Sequence, residues 1–280
     1  MHKPEYTIVT DPFEEEFFIS TIFRNNELCG INKSEWRHRE LSGFEIAKLD
    51  YTPSEAFGGL FDNETVYKHT LHPIGALFDR IRYKNMTFTP RENLRICIQC
   101  VMDDTDNLGT AYIHRTHVAP GALGTLVCHL HAVALSNICP ICQLDLMHHK
   151  LTNLSACVNR KSNIKTESLL GSTTHQYSQF VYATLKKTGL TEHRRYSTQT
   201  IDQSLKKLGY SSPSIDSYFQ FCIDADNKTG TPREVYNTVQ KSNHNLARTP
   251  MQLFTRVAYL LYDNLDNFID EIEEFRSIKT

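Results

Sequence analysis

The amino-acid sequence predicts a mainly α-helical fold, with a small β module of ribbon type in mid-chain and helix-turn-helix-like elements behind it. Three observations carry that expectation. Apolar residues recur at helical spacing in the first and last thirds of the 280 residues. Five of the eight cysteines crowd into residues 97–142, where turn residues at Asn107 and Pro120–Gly121 interrupt any long period. Charge is also uneven: residues 1–142 carry 13 basic and 18 acidic side chains, residues 143–212 carry 10 and 4, and residues 213–280 carry 7 and 10.

The elements follow in chain order. Residues 13–28 place Phe17, Phe18, Thr21, Ile22 and Leu28 near helical spacing, with Asp11–Pro12 as the start signal. A second helix is expected over 73–83, with Pro73 in its first turn. Beyond the cysteines, Tyr177, Phe180, Val181 and Leu185 predict a helix over 175–187. Ile201, Leu205 and Leu208 predict another over 198–208, with Ser197 as N-cap and Gly209 as stop. The last helix is read as one stripe: Leu253, Val257, Leu260, Leu261, Leu265, Phe268 and Ile272, after Pro250. The chain divides accordingly into an N-terminal helical region (1–95), the cysteine module (96–150) and a C-terminal helical region (151–280).

Composition excludes some classes. No run of eighteen apolar residues occurs, so a membrane span is not expected. The first residues lack the apolar stretch and small-residue cleavage site of a signal peptide, so a reducing cytoplasm is expected. There the eight cysteines (29, 97, 100, 128, 139, 142, 157 and 222) are read as metal ligands or buried thiols rather than disulfides. Cys29 and Cys222 stand alone in apolar contexts and are expected in the core. No phosphate-binding loop, nucleophile elbow or H-E-x-x-H motif is present.

The strongest chemical signal is a pair of short ligand spacings, Cys97-x-x-Cys100 and Cys128-x-x-His131, 27 residues apart. Two donors three positions apart on a tight turn can reach one ion, and two such turns complete a tetrahedron. Thiolate and imidazole suit Zn(II), and four protein ligands leave no open position for water. The expected ion is therefore structural. Cys139-x-x-Cys142 is a third pair, read as half of a second zinc site to be completed by two of His114, His117, His148, His149 and Cys157, the alternative being a spare reduced pair without metal. His148 and His149 also raise a nuclease reading, against which they are expected to be solvent-exposed histidines.

These residues carry a resemblance. Arg95-Ile-Cys97-Ile-Gln-Cys100, Asp103–Asp104, Gly109, Tyr112 to His117, Pro120–Gly121, Cys128-His-Leu-His131 and Cys139-Pro-Ile-Cys142 resemble the TniQ family, which includes TnsD-like target-site selectors of bacterial transposons. His69-Thr70-Leu71-His72-Pro73 is similar to the family's HTL-x-P segment, and Asp11–Pro12 with Glu16–Phe17–Phe18 to its opening. The similarity covers residues 6–146, with a weaker echo over 177–219.

The resemblance implies a non-enzymatic adaptor in the bacterial cytoplasm, at the nucleoid. It would bind target DNA, or a guide-RNA surveillance complex already on DNA, and recruit a TnsC-like AAA+ ATPase that licenses the transposase. It also implies zinc ribbons and helix-turn-helix elements. The family's sequence-reading members tend to be longer, which leaves room for a partner-dependent selector, and a homodimer is allowed. On the residues alone, Lys186, Lys187, Arg194, Arg195, Lys206 and Lys207 would line a phosphate-facing side of the helix pair, or simply solvate it. A metal-dependent nuclease and a generic zinc-ribbon transcription factor remain the rival classes.

Overall fold

The computed structural model describes residues 10–30, 61–78, 94–118, 124–146, 148–160, 164–210, 215–229 and 251–279. They are mainly helical, as expected. In chain order the α-helices are α1 (Phe18–Leu28), α2 (Asn63–Lys68), α3 (His72–Leu77), α4 (Ile98–Leu108), α5 (Leu151–Val158), α6 (Thr173–Lys186), α7 (Arg194–Lys207), α8 (Ile215–Thr229), α9 (Met251–Tyr262) and α10 (Leu265–Lys279). Short 3-10 turns cover Arg115–His117 and Leu190–His193. Among the described residues, β pairing consists of isolated bridges rather than ladders.

The helices form two neighbourhoods sharing one apolar core. In the first, α5 packs on α1 and α4. In the second, α6 to α10 pack on one another, and α3 inserts among them against α6, α9 and the 190–193 turn. Phe78, at the C-terminal end of α3, lies 5.9 Å from both Phe254 of α9 and Phe268 of α10, ring centroid to centroid. Tyr259 meets Tyr177 and Phe180 of α6.

Local chemistry explains where the boundaries depart from sequence expectation. α1 starts at Phe18 because Glu16 and Phe17 pair with the chain near His114 instead: Phe17 N–H donates to the Ile113 carbonyl at 2.7 Å. α7 starts at Arg194, and Ser197 lies inside it, its hydroxyl donating back to the His193 carbonyl. Gly209 does stop α7. At φ +82° it takes a left-handed conformation, and the amides of Gly209 and Tyr210 donate to the carbonyls of Lys206 and Leu205. The last stripe is two helices: Asp263 turns left-handed (φ 62°), and the Asn264 side chain caps α10 by accepting from Asn267 N–H. Cys29 is exposed rather than a core residue, because α1 ends just before it. Cys222 falls where side chains lie outside the described set, as do residues 79–83 of the second expected helix.

A buried ion pair anchors the N-terminal segment. Arg24 and Glu16 are 2% and 0% exposed and meet at 2.8 Å. Glu16 also accepts from Phe13 N–H and the Ser20 hydroxyl, while Arg24 reaches Thr10 and the Asp11 carbonyl and lies over the Phe13 ring. Every strong hydrogen-bonding group of the pair is thus engaged, which offsets its desolvation. Glu16→Gln leaves Arg24 buried without a counter-charge and should cost about 3–5 kcal/mol, read from the denaturation midpoint. A loss near that of an ordinary surface substitution would contradict this role.

Candidate metal centres

The first cluster forms where two chain segments are brought side by side. Ile96 and Ser136 exchange both backbone hydrogen bonds (2.8 and 2.9 Å), and Val127 pairs with Ala134 across a hairpin. The hairpin tip carries Cys128 and His131. The partner segment ends at Cys97, the N-cap of α4, with Cys100 in the helix's first turn. The pair expected on a β turn therefore sits at a helix N-terminus, whose partial positive charge favours thiolates.

The donor atoms converge. Cys100 Sγ lies 3.6 Å from Cys128 Sγ, and His131 Nδ1 lies 3.3, 3.7 and 3.8 Å from the sulfurs of Cys100, Cys97 and Cys128. A tetrahedral ion with metal–sulfur and metal–nitrogen distances of about 2.3 and 2.0–2.1 Å needs edges of about 3.5–3.8 Å. The four residues can hold such an ion. Without one, the crowded sulfurs compete for protons. Contact with Cys128, then Cys97, drives the Cys100 thiol far above its ordinary range, while the thiols of Cys100 and Cys97 hold Cys128 far below it. A divalent cation removes this conflict by letting every sulfur ionise.

Asp103, one helical turn beyond Cys100, lies 2.8 Å from His131 Nε2. Its carboxylate accepts a hydrogen bond from Nε2–H and leaves unprotonated Nδ1 to face the sulfurs, which fixes the ring's tautomer and orientation. In the sequence Asp103 belongs to the family-like run of motifs, with no sign of this role. An i, i+3 spacing from Cys100 was the available signal, hidden because no helix was expected there.

The second cluster joins Cys139 and Cys142 to His149 and Cys157, all ligand atoms lying within 4.8 Å of one another. This selects two of the five residues left open by the sequence. His114 turns instead to Asp104 (3.0 Å), and His117 lies against Cys128 beside the first cluster. His148 is exposed. His149 is not: it is 3% exposed, with Nδ1 on its Lys150 neighbour's carbonyl (2.7 Å) and Nε2 3.3 Å from Cys157 Sγ. Nδ1 is the protonated nitrogen, so Nε2 is free to be the ligand atom. Burial, then contact with Cys142, pushes the Cys157 thiol up to about 11.

The two hairpin tips are built alike. Ala132 N–H donates to the Cys128 carbonyl and Gln143 N–H to the Cys139 carbonyl; Cys128 N–H donates to Val133 and Cys139 N–H to Leu144. In each, the fourth residue after the first cysteine is left-handed: Ala132 at φ 53° and Gln143 at φ 61°. Neither is glycine, so each holds conformational strain.

α5, which carries Cys157, is fixed from a distance. Its N-cap Lys150 makes no side-chain cap. Glu27 of α1 supplies it instead, accepting from the amides of Leu151 and Thr152 (3.1 and 3.0 Å) and from the Thr152 hydroxyl. Beside the first cluster, His129 stacks on Tyr182 at 4.0 Å and meets Thr116 Oγ1; burial, then His117, lowers its pKa to about 3 and keeps it neutral.

The six basic residues singled out in the sequence are mostly engaged within the chain. Lys186 meets Glu14 (3.1 Å) and Glu15 (2.6 Å), Lys187 meets Asp266 (3.7 Å), Lys206 meets Asp202 (2.6 Å) and Lys207 meets Glu271 (3.4 Å). Arg195 stands over the neighbouring Tyr196 ring, and Arg194 is exposed at the start of α7.

Fold and site define a helical protein with two Cys₃His clusters that can each hold a metal ion. Among the described residues, no helix is long and apolar enough to cross a membrane. No protein-family model matches the chain, and no curated protein matches it.

Two outcomes are expected. Asp103→Asn should weaken metal binding at the first cluster by about 10–100-fold, measured by competition with a chromogenic chelator; unchanged affinity would remove its orienting role. Gln143→Gly should stabilise the protein by up to about 1 kcal/mol, while Gln143→Val should destabilise it, both read as shifts in Tm.

Proposed function

We propose that this chain is a zinc-stabilised, non-enzymatic DNA-targeting adaptor of the TniQ kind. It binds target DNA, or a guide-RNA surveillance complex seated on DNA, and recruits an AAA+ ATPase regulator of transposition. It works in the bacterial cytoplasm, at the nucleoid. The observation that carries the reading is the closure of both clusters. Each brings four protein donors together, a set suited to Zn(II) held for scaffolding rather than for activating water. The ordered motifs from Arg95 to Cys142 supply the family resemblance.

Two finer points belong to the same reading. The matching hairpin tips are what tandem zinc ribbons would use, although α4 and α5 supply part of the ligand sets. The α6–turn–α7 unit is compatible with a helix-turn-helix-like element. Zinc in both clusters gives two ions per chain by elemental analysis, and chelation lowers Tm.

The test is binding of a fluorescent DNA duplex and of the AAA+ ATPase by the zinc-loaded full chain. The expected result is affinity for duplex that falls steeply as salt rises, with no cleavage in Mg(II) or Mn(II). No affinity for duplex, ATPase or guide complex at low salt would overturn the proposal. Cleavage lost in His148→Ala would replace it with a nuclease.

A further inference from the structure

We infer that the phosphate-contacting surface of this protein lies around the second metal cluster, on Lys150, Arg160 and Lys165, and that its occupant is duplex DNA. The inference rests on the DNA-binding reading above and assigns its surface.

The positive charges of this chain differ in their availability to a phosphate. An exposed cation already paired with a carboxylate must give up that partner before it meets a phosphate, and the exchange returns little free energy. Lys186, Lys187, Lys206 and Lys207 are all in this position. Glu14 and Glu15 reach them from the N-terminal segment, Asp266 and Glu271 from α10, and Asp202 from α7 itself. The face of α6 and α7 is therefore largely an internal electrostatic seam. Lys150, Arg160 and Lys165 are different. All three are exposed, and among the described residues none has a carboxylate partner.

They also share a location. Lys150 adjoins His149, whose ring nitrogen bonds its carbonyl. Arg160 follows the end of α5, its amide donating to the carbonyl of Cys157 at 3.2 Å. Lys165 lines a cleft of about 250 Å³ whose walls include Ile96, Ile98 and Val133 beside the first cluster and Pro140, which follows Cys139 of the second. Lys150 and Arg160 thus adjoin the second cluster along the chain, and Lys165 lies in the cleft that runs between it and the first. A zinc ion with three thiolates and a neutral imidazole carries one net negative charge, and Glu167 is the acidic residue lining the cleft. Glu27 adds a third negative charge at the start of α5, but its carboxylate is taken up by the amides of Leu151 and Thr152, which leaves the three cations without an ion-pair partner among the described residues.

The support is rigid. Lys150 and Arg160 flank α5, which Glu27 caps at its start and which carries Cys157 of the second cluster near its end. Eight helical residues span about 12 Å, so the two cations meet different phosphates of a duplex whose base pairs rise about 3.4 Å each. Such contacts fix position on the backbone without reading bases.

The experiment compares three forms of the zinc-loaded full chain by fluorescence anisotropy across a salt series. The first is wild type, the second Lys150→Gln/Arg160→Gln/Lys165→Gln, and the third Lys187→Gln/Lys206→Gln/Lys207→Gln. Zinc content and Tm confirm that each is folded, and Lys150→Arg/Arg160→Lys/Lys165→Arg keeps the charge as a control. The expected result is that the second form loses about tenfold or more in affinity. Its slope of log K against log salt should fall by about 2–3, while the third form and the charge-keeping control stay near wild type. If the third form loses affinity and the second does not, the inference fails and the DNA-binding reading stands. Loss confined to single-stranded RNA, with duplex binding unchanged, also overturns it. Wild type that binds no duplex at all sinks the DNA-binding reading and this surface with it.

Discussion

The constraint that organises the middle of the chain is the crowding of sulfur atoms closer than their charges allow. Three thiols and one imidazole nitrogen meet within 4.8 Å of one another at the first cluster. Such an arrangement is costly for bare thiolates and favourable around a divalent cation. The backbone prepares it through the Ile96–Ser136 pair, the 126–135 hairpin and the N-terminus of α4. The same segments lead on to the buried histidines 114, 117 and 129 and, through Tyr182, to α6. The candidate metal cluster and the helical packing are therefore continuous.

The second cluster is assembled differently, and its difference shows how the modules are tied. Cys139 and Cys142 come from a hairpin tip, but Cys157 comes from a helix whose first turn is capped by Glu27, over 120 positions earlier in the chain. Glu27 in turn sits on α1, whose start is held by the buried Glu16–Arg24 pair. The N-terminal segment thus supports the metal module directly, and the expected boundary at residues 95–96 is crossed by hydrogen bonds from both sides, including Phe17 to Ile113 and Arg115 to Glu15.

Charge behaves in the same distributed way. The excess of basic residues over 143–212 suggests a cationic surface when counted along the sequence. In three dimensions the acidic ends of the chain fold back onto part of it. Glu14 and Glu15 neutralise Lys186, and α10 brings Asp266 and Glu271 to Lys187 and Lys207. Surface pairs of this kind add little stability, but they decide which cations remain available to a partner.

The sequence by itself determined what depends on short spacing. The first ligand set, the pairing of Cys139 with Cys142, the helix around Val181 and the stop at Gly209 are local, because a tight turn or a glycine's positive φ is specified within a few residues. It did not determine what depends on distance. His149 and Cys157 could not be chosen from five candidates, since only the packing of α5 brings them to the hairpin. Asp103 and the Asn264 cap went unread because one lies on a helix hidden by cysteines and the other inside an unbroken apolar stripe. The fate of the lysines lay with carboxylates from remote segments, and Coulomb's law acts through space, not along the chain.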